Sequence, residues 1–156
     1  MKLIRLFILS AGIILLLTGA AKFISASGSA AVLRTPDPVL HIPFRHLFWL
    51  VGVLELAVGA FCLLRKPFPF QAALVAGLAS SFALYRVALK WLKYDKPCPC
   101  LGNLTGALGI SPDLAASLMT GLFWYLFFGS YVILLLSLKG SITLAKQPAE
   151  ESFANE

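Results

Sequence analysis

Four apolar stretches, each about long enough to cross a bilayer, constrain this chain more than any other feature. They run over residues 3–24, 46–64, 71–92 and 114–138, and a helix of about 20 apolar residues spans about 30 Å of hydrocarbon. Lipid offers no partner to backbone N–H and C=O groups, so each stretch has to satisfy its own as a helix. Composition points the same way: 59% of residues are hydrophobic and 13% charged, with a mean hydropathy of +0.86. Soluble domains run at roughly half apolar and a quarter charged, and one of this size has no means of hiding so much apolar surface from water. The expected fold is therefore all-α, an integral membrane four-helix bundle with four transmembrane helices. Residues 1–140 are read as a single four-span domain and residues 141–156 as a polar C-terminal tail.

The separators read as loops. Residues 25–45, SASGSAAVLRTPDPVLHIPFR, are rich in Ser, Gly and Pro, which punctuate helices. Residues 65–70, RKPFPF, form a short basic turn in which Pro67 and Pro69 stop helix propagation. Residues 93–113 carry two cysteines and close on SPD, where Ser111 is placed to cap the last helix and Pro112 to occupy its first turn. The polar residues from 139 onward are expected to fray. The opening MKLIRLFILSAGIILLLTGA also has the basic start and apolar run of a secretory signal, followed by small residues at 26–31. Its run is nearer a full span than a signal core, and it is read here as the first span. No internal repeat suggests an array.

Lys2 and Arg5 precede the first span, Arg65 and Lys66 fill the second connection, and Lys139 and Lys146 follow the last span. Arg34, Arg45, Lys93 and Lys96 lie on the other side. Because the first helix usually sets orientation, both termini are expected in the cytoplasm and the cysteine loop outside, in a multi-pass protein of a bacterial inner membrane. The net charge of +6 and pI near 9.5 suit anionic lipid headgroups; no basic cluster sits in a soluble domain, so nucleic acid is not expected as a partner. Whatever the orientation, counting spans places Lys22, His41, Arg45, His46, Arg86, Lys90, Cys98 and Cys100 toward one face.

Glu55 is the sharpest residue outside the cysteine loop. It lies near the middle of the second span, where an acidic side chain costs about 2.5–3.5 kcal/mol on insertion scales. Compensation is expected from Arg86 on the third span or Lys22 on the first, giving an intramembrane cluster of Lys22, Glu55 and Arg86. Two readings stay open: a proton-accepting carboxylate beside a polar cavity, or an ion pair that sets helix register.

TGAAKF at the end of the first span, the intramembrane Glu of GVLELAVGA in the second, and PCPCLG after the third together resemble a known family. In order and sidedness they are similar to the DoxX-like and MauE-like superfamily of small four-span, redox-associated membrane proteins. The resemblance covers essentially residues 1–140 and carries over by position to Lys22, Glu55, Cys98 and Cys100. It implies a four-helix membrane bundle. For the MauE (methylamine utilisation) branch it implies a part in maturing a periplasmic amine dehydrogenase through its disulfides. DoxX-type members are associated instead with quinone-linked oxidation, which makes a quinone a possible cofactor.

Three chemistries stand open for Cys98 and Cys100. Paired thiols on an accessible loop can exchange electrons with another dithiol through a mixed disulfide, and Lys93 and Lys96 favour the thiolate electrostatically. A ring closed over a two-residue separation departs from ideal disulfide geometry, which makes the bond easier to reduce. Pro97 and Pro99 restrict that ring. The spacing is not C-x-x-C, so a thioredoxin motif is unsupported. Alternatively the thiolates contribute to a Cu(I) or Zn site completed by His41 and His46, although no sequence-adjacent ligands form a metal motif. The third reading is a loop that merely turns the chain. Cys62, within an apolar span, reads as a small buried hydrophobe.

Trp49, Trp91, Trp124, Tyr85 and Tyr125 suit interfacial or packing roles. Gly52, Gly59, Gly77 and Gly121 are expected to let helices approach closely. NLT at 103–105 matches a glycosylation acceptor, usable only in a glycosylating secretory host. No phosphate loop, Ser-His-Asp set or zinc-protease motif is present. The function expected is thiol-disulfide redox or electron-transfer-linked maturation of an extracytoplasmic partner, with Cys98 and Cys100 as the reactive pair of an oxidoreductase component. The alternative is a non-catalytic membrane scaffold subunit of a respiratory or transport complex.

Overall fold

The computed structural model describes residues 2–29, 31–64, 68–93 and 111–153. The fold is all-α, a four-helix bundle: α1 (Lys2–Ser27), α2 (Phe44–Leu63), α3 (Phe68–Trp91) and α4 (Pro112–Phe153), with one short 3-10 turn, Ala31–Arg34, between α1 and α2. All four contain a stretch long and apolar enough to cross a membrane; in α4 it is Asp113–Lys139. Their outer faces carry large apolar side chains such as Leu17, Val53, Leu84 and Leu135. Lipid, not water, is the solvent such faces require.

The helices associate as two antiparallel pairs, α1 with α2 and α3 with α4, joined by lesser contacts of α3 with α1 and α2 and of α4 with α1. The first pair is the tighter, and glycine makes it so. A Cβ at Gly59 would lie 3.0 Å from the Gly12 carbonyl oxygen, and one at Gly12 would lie 3.1 Å from the Gly59 carbonyl oxygen. One heptad further along each helix, Gly19 and Gly52 repeat the approach, and the Phe23 ring fills the notch that Gly52 leaves. Small residues at such spacing bring backbones close enough for dispersion to hold helices together in lipid, where the hydrophobic effect is lost. Gly77 and Gly121, expected to act alike, do not: a Cβ at either would meet nothing within 4 Å.

Polar side chains tie the second pair together and join it to α1. Ser80 and Tyr131 hydroxyls lie 2.8 Å apart between α3 and α4, and those of Ser10 and Tyr125 lie 2.7 Å apart between α1 and α4. Ser80 and Ser10 each also donate to a carbonyl of the preceding turn, so each tyrosine finds its partner on an already anchored hydroxyl.

Two helix boundaries differ from those the sequence suggests. Phe68, Pro69 and Phe70 form the first turn of α3 instead of a linking turn; proline is tolerated there because a first-turn N–H has no intrahelical partner to lose. Residues 139–153, expected to fray, continue α4 as helix through Phe153, although Gly140 and Pro148 disfavour a helix interior. At the start of α4 the Ser111 hydroxyl accepts from the Leu114 N–H at 3.4 Å, a long version of the expected cap, with Pro112 in the first turn.

Candidate functional site

The stripes that pack α1 against α2 also carry the charge. On α2 the buried positions Gly52, Glu55, Gly59 and Cys62 follow a helical repeat; on α1 the matching stripe includes Ala11, Gly12, Leu15 and Gly19. Glu55 therefore has no choice but to face α1, about 16 Å below the start of α2 at about 1.5 Å per residue. Lys22, one turn beyond Gly19, reaches back along the seam. Its Nζ donates to both carboxylate oxygens of Glu55, at 2.7 and 2.8 Å. The Glu55 side chain is 3% exposed and that of Lys22 14%, so the pair is withdrawn from solvent on the Glu55 side and reaches toward the polar face only along the lysine stem.

Arg86 does not join this pair. It points to α4, donating to the Thr120 hydroxyl at 3.1 Å with its guanidinium 5.7 Å from the centre of the Phe123 ring. Of the three residues expected to form an intramembrane cluster, the structure brings Lys22 and Glu55 together and places Arg86 on the outward side of the α3–α4 pair.

The end of the bundle nearest Lys22 is roofed by the connection between α1 and α2, and that roof has an organiser the sequence did not single out. Asp37 is buried at 1% exposure. Its Oδ1 accepts from the backbone N–H groups of Val39 and Leu40, at 2.9 and 2.7 Å, the local turn that Asp makes with its own chain. Its Oδ2 accepts from the Tyr85 hydroxyl, 48 residues away on α3. The bridge between Pro36 and Pro43 and the left-handed His41, with φ 56°, close the turn. Leu33 packs beneath it with Ala26, Phe44, Leu47, Phe48 and Tyr85. At the base of α2, Arg45 donates to the Gly28 carbonyl at 2.9 Å, binding the two ends of the connection. TPDPVL holds the local half of this signal, an Asp between prolines; the bond to Tyr85 is legible only in three dimensions.

Cys98 and Cys100 lie outside the described residues. The chain enters their segment from Lys93, exposed and left-handed at φ 51° after the end of α3, and returns at Ser111. Both ends belong to the face that Asp37 and Tyr85 organise. His41 and His46, weighed as metal ligands, are both exposed there, and the described residues contain no group of three or more His, Cys, Asp or Glu able to hold a metal ion. Cys62 is a buried free thiol near the opposite end of α2, packed with Ile8, Ala11, Leu15, Ala72 and Val75.

Two cavities stand out among the described residues. One lies by Arg5, Leu64 and Gln71, the other between Phe7 and Gly129. Both lie toward the opposite end of the bundle, and neither touches Lys22, Glu55, Lys93 or Ser111. No family model matches the chain, and no curated protein or solved structure matches it in the comparisons.

Proposed function

We propose that this membrane protein exchanges disulfides with an extracytoplasmic partner, through Cys98 and Cys100, in the manner of the DoxX-like and MauE-like proteins it resembles. The observation that carries the reading is the pairing of two thiols in a lysine-flanked segment, KPCPC, whose flanking helices end on the face braced by Asp37 and Tyr85. A thiolate of the partner attacks one sulfur of the Cys98–Cys100 disulfide and forms a mixed disulfide, expelling the other loop thiolate. The partner's second thiolate then displaces the loop sulfur. The partner loses two electrons and two protons to become a disulfide, and Cys98 and Cys100 gain them as thiols. Lys93 and Lys96 favour the expelled thiolate by charge. Lys22 and Glu55 lock α1 to α2, and Asp37 and Tyr85 hold the roof to α3, so that the segment is presented on a fixed platform. The finer placement belongs to the same reading: an inner membrane, both termini in the cytoplasm, the cysteines outside.

The test is a trap. With Cys100→Ser, or reciprocally Cys98→Ser, the remaining thiol has no resolving partner, and a reducible higher-mass adduct should accumulate in membranes and vanish with the double serine variant. Absence of an adduct in both single variants, under oxidising growth, would leave the pair without an exchange partner.

One observation favours a scaffold reading instead. Glu55 is satisfied by Lys22 within a glycine-lined seam, which is how a structural pair looks. A scaffold retains function in the Cys98→Ser/Cys100→Ser double variant; an exchanger does not.

A further inference from the structure

We infer that the end of the bundle opposite the cysteine segment holds an anionic phospholipid, its phosphate at Arg5 and the start of an acyl chain against the apolar walls beside it. A cavity of about 390 Å³ opens there between α1, α2 and α3, lined by Arg5, Ile8, Leu9, Leu64, Phe68 and Gln71 among others. That volume lies toward the lower end of the roughly 300–1,000 Å³ typical of small-molecule sites. It suits a headgroup and the first methylenes of a chain, with the rest of the lipid left in the bilayer.

The electrostatics select the sign of the headgroup. α1 starts at Lys2 and α3 at Phe68, so two helix N-termini, the positive ends of their dipoles, flank the opening. The third helix end is the negative C-terminus of α2, and the protein has already covered it. The buried Gln71 amide donates to the carbonyls of Phe61, Cys62 and Leu64, at 3.1, 3.3 and 2.8 Å. Arg5 is exposed and has no acidic partner within salt-bridge distance among the described residues. A guanidinium that matches phosphate in planar, two-pronged fashion is thus presented at a cavity whose lining also includes the apolar side chains of Ile8, Leu9, Leu64 and Phe68, beside the Gln71 amide. A free anion would use only the first feature. A phospholipid uses both.

The test uses the full chain in mild detergent and native mass spectrometry with phosphatidylglycerol, phosphatidylcholine or glycerol phosphate as the probe. Wild-type protein should retain phosphatidylglycerol about tenfold better than phosphatidylcholine, which offers the same phosphate but sets its choline cation against Arg5 and two positive helix ends. Arg5→Gln should abolish that preference, and Lys90→Gln, a basic residue at the other end of α3, should keep it. Leu9→Trp, which fills the apolar part and keeps the charge, should weaken retention of both lipids. Glycerol phosphate should fail to compete at concentrations where the lipid is retained. Equal retention of the two lipids by wild type, an unchanged preference in Arg5→Gln, or equal competition by glycerol phosphate would each overturn the assignment. Neither cysteine variant enters the measurement, so its result is independent of the thiol chemistry.

Discussion

Lys22 meets both carboxylate oxygens of Glu55, at 2.7 and 2.8 Å, across a helix interface in which glycines face each other from both sides. Charge and close packing occupy the same seam for a physical reason. A carboxylate in the middle of a span is tolerable only when it is paired, and the pairing needs the backbones near enough for one lysine to reach. The pair should therefore behave as a unit. Lys22→Met or Glu55→Leu alone should each destabilise the protein by about 3–5 kcal/mol, since each leaves a buried charge unpartnered, while the double variant should lose far less than the sum. Thermal unfolding of the four proteins in detergent provides the cycle; strictly additive losses would contradict the pairing.

The glycines make a second test with opposite signs in one protein. Gly59→Ala forces a Cβ to 3.0 Å from the Gly12 carbonyl oxygen and from Leu16, and overpacking of this kind costs about 1–3 kcal/mol. Gly77→Ala meets nothing and should be neutral or stabilising by up to about 1 kcal/mol, because alanine suits a helix better. Melting temperatures in one detergent decide both.

Removing the Tyr85 hydroxyl takes a partner from a buried carboxylate. Tyr85→Phe should cost about 1–3 kcal/mol and, more specifically, should free the roof while α1 to α4 stay intact. Limited proteolysis should then cut within residues 31–43 faster than in wild type, with helix content by circular dichroism unchanged. Asp37→Ala should do the same and more, since the turn over Val39 and Leu40 loses its acceptor as well. Equal cleavage rates in all three proteins would show that the bond does not hold the roof.

Sidedness has its own measurement. An impermeant thiol reagent applied to intact, reduced cells should label Cys98 or Cys100 and spare Cys62, which is buried. Labelling of the pair only after the membrane is opened would reverse the orientation.

The spans, and the need of Glu55 for a basic partner, were legible because both follow from one dimension: run length for the helices, desolvation for the carboxylate. Which base answers was not. Counting spans places Lys22 and Arg86 toward the same face but leaves open which helices adjoin, and α3 turns Arg86 toward Thr120 and Phe123 of α4. Gln71 reads as an ordinary polar residue near a helix start; its role depends on the end of α2 arriving beside it. Asp37 was half legible, since its local turn is written in TPDPVL while its bond to Tyr85 is not. Gly52 and Gly77 look alike in sequence, and only the neighbouring helix separates them.

Thiol exchange at Cys98 and Cys100 is the central claim, and the redox state of that pair in native membranes tests it most directly. Membranes from cells grown under oxidising and reducing conditions would be acid-quenched and alkylated, then digested, and the peptide spanning both cysteines quantified by mass spectrometry as dithiol and disulfide. The account predicts that both forms are present and that their ratio follows the growth condition, while Cys62 stays a thiol throughout. A pair that remains wholly reduced under both conditions, in a protein whose double serine variant keeps full function, would contradict it.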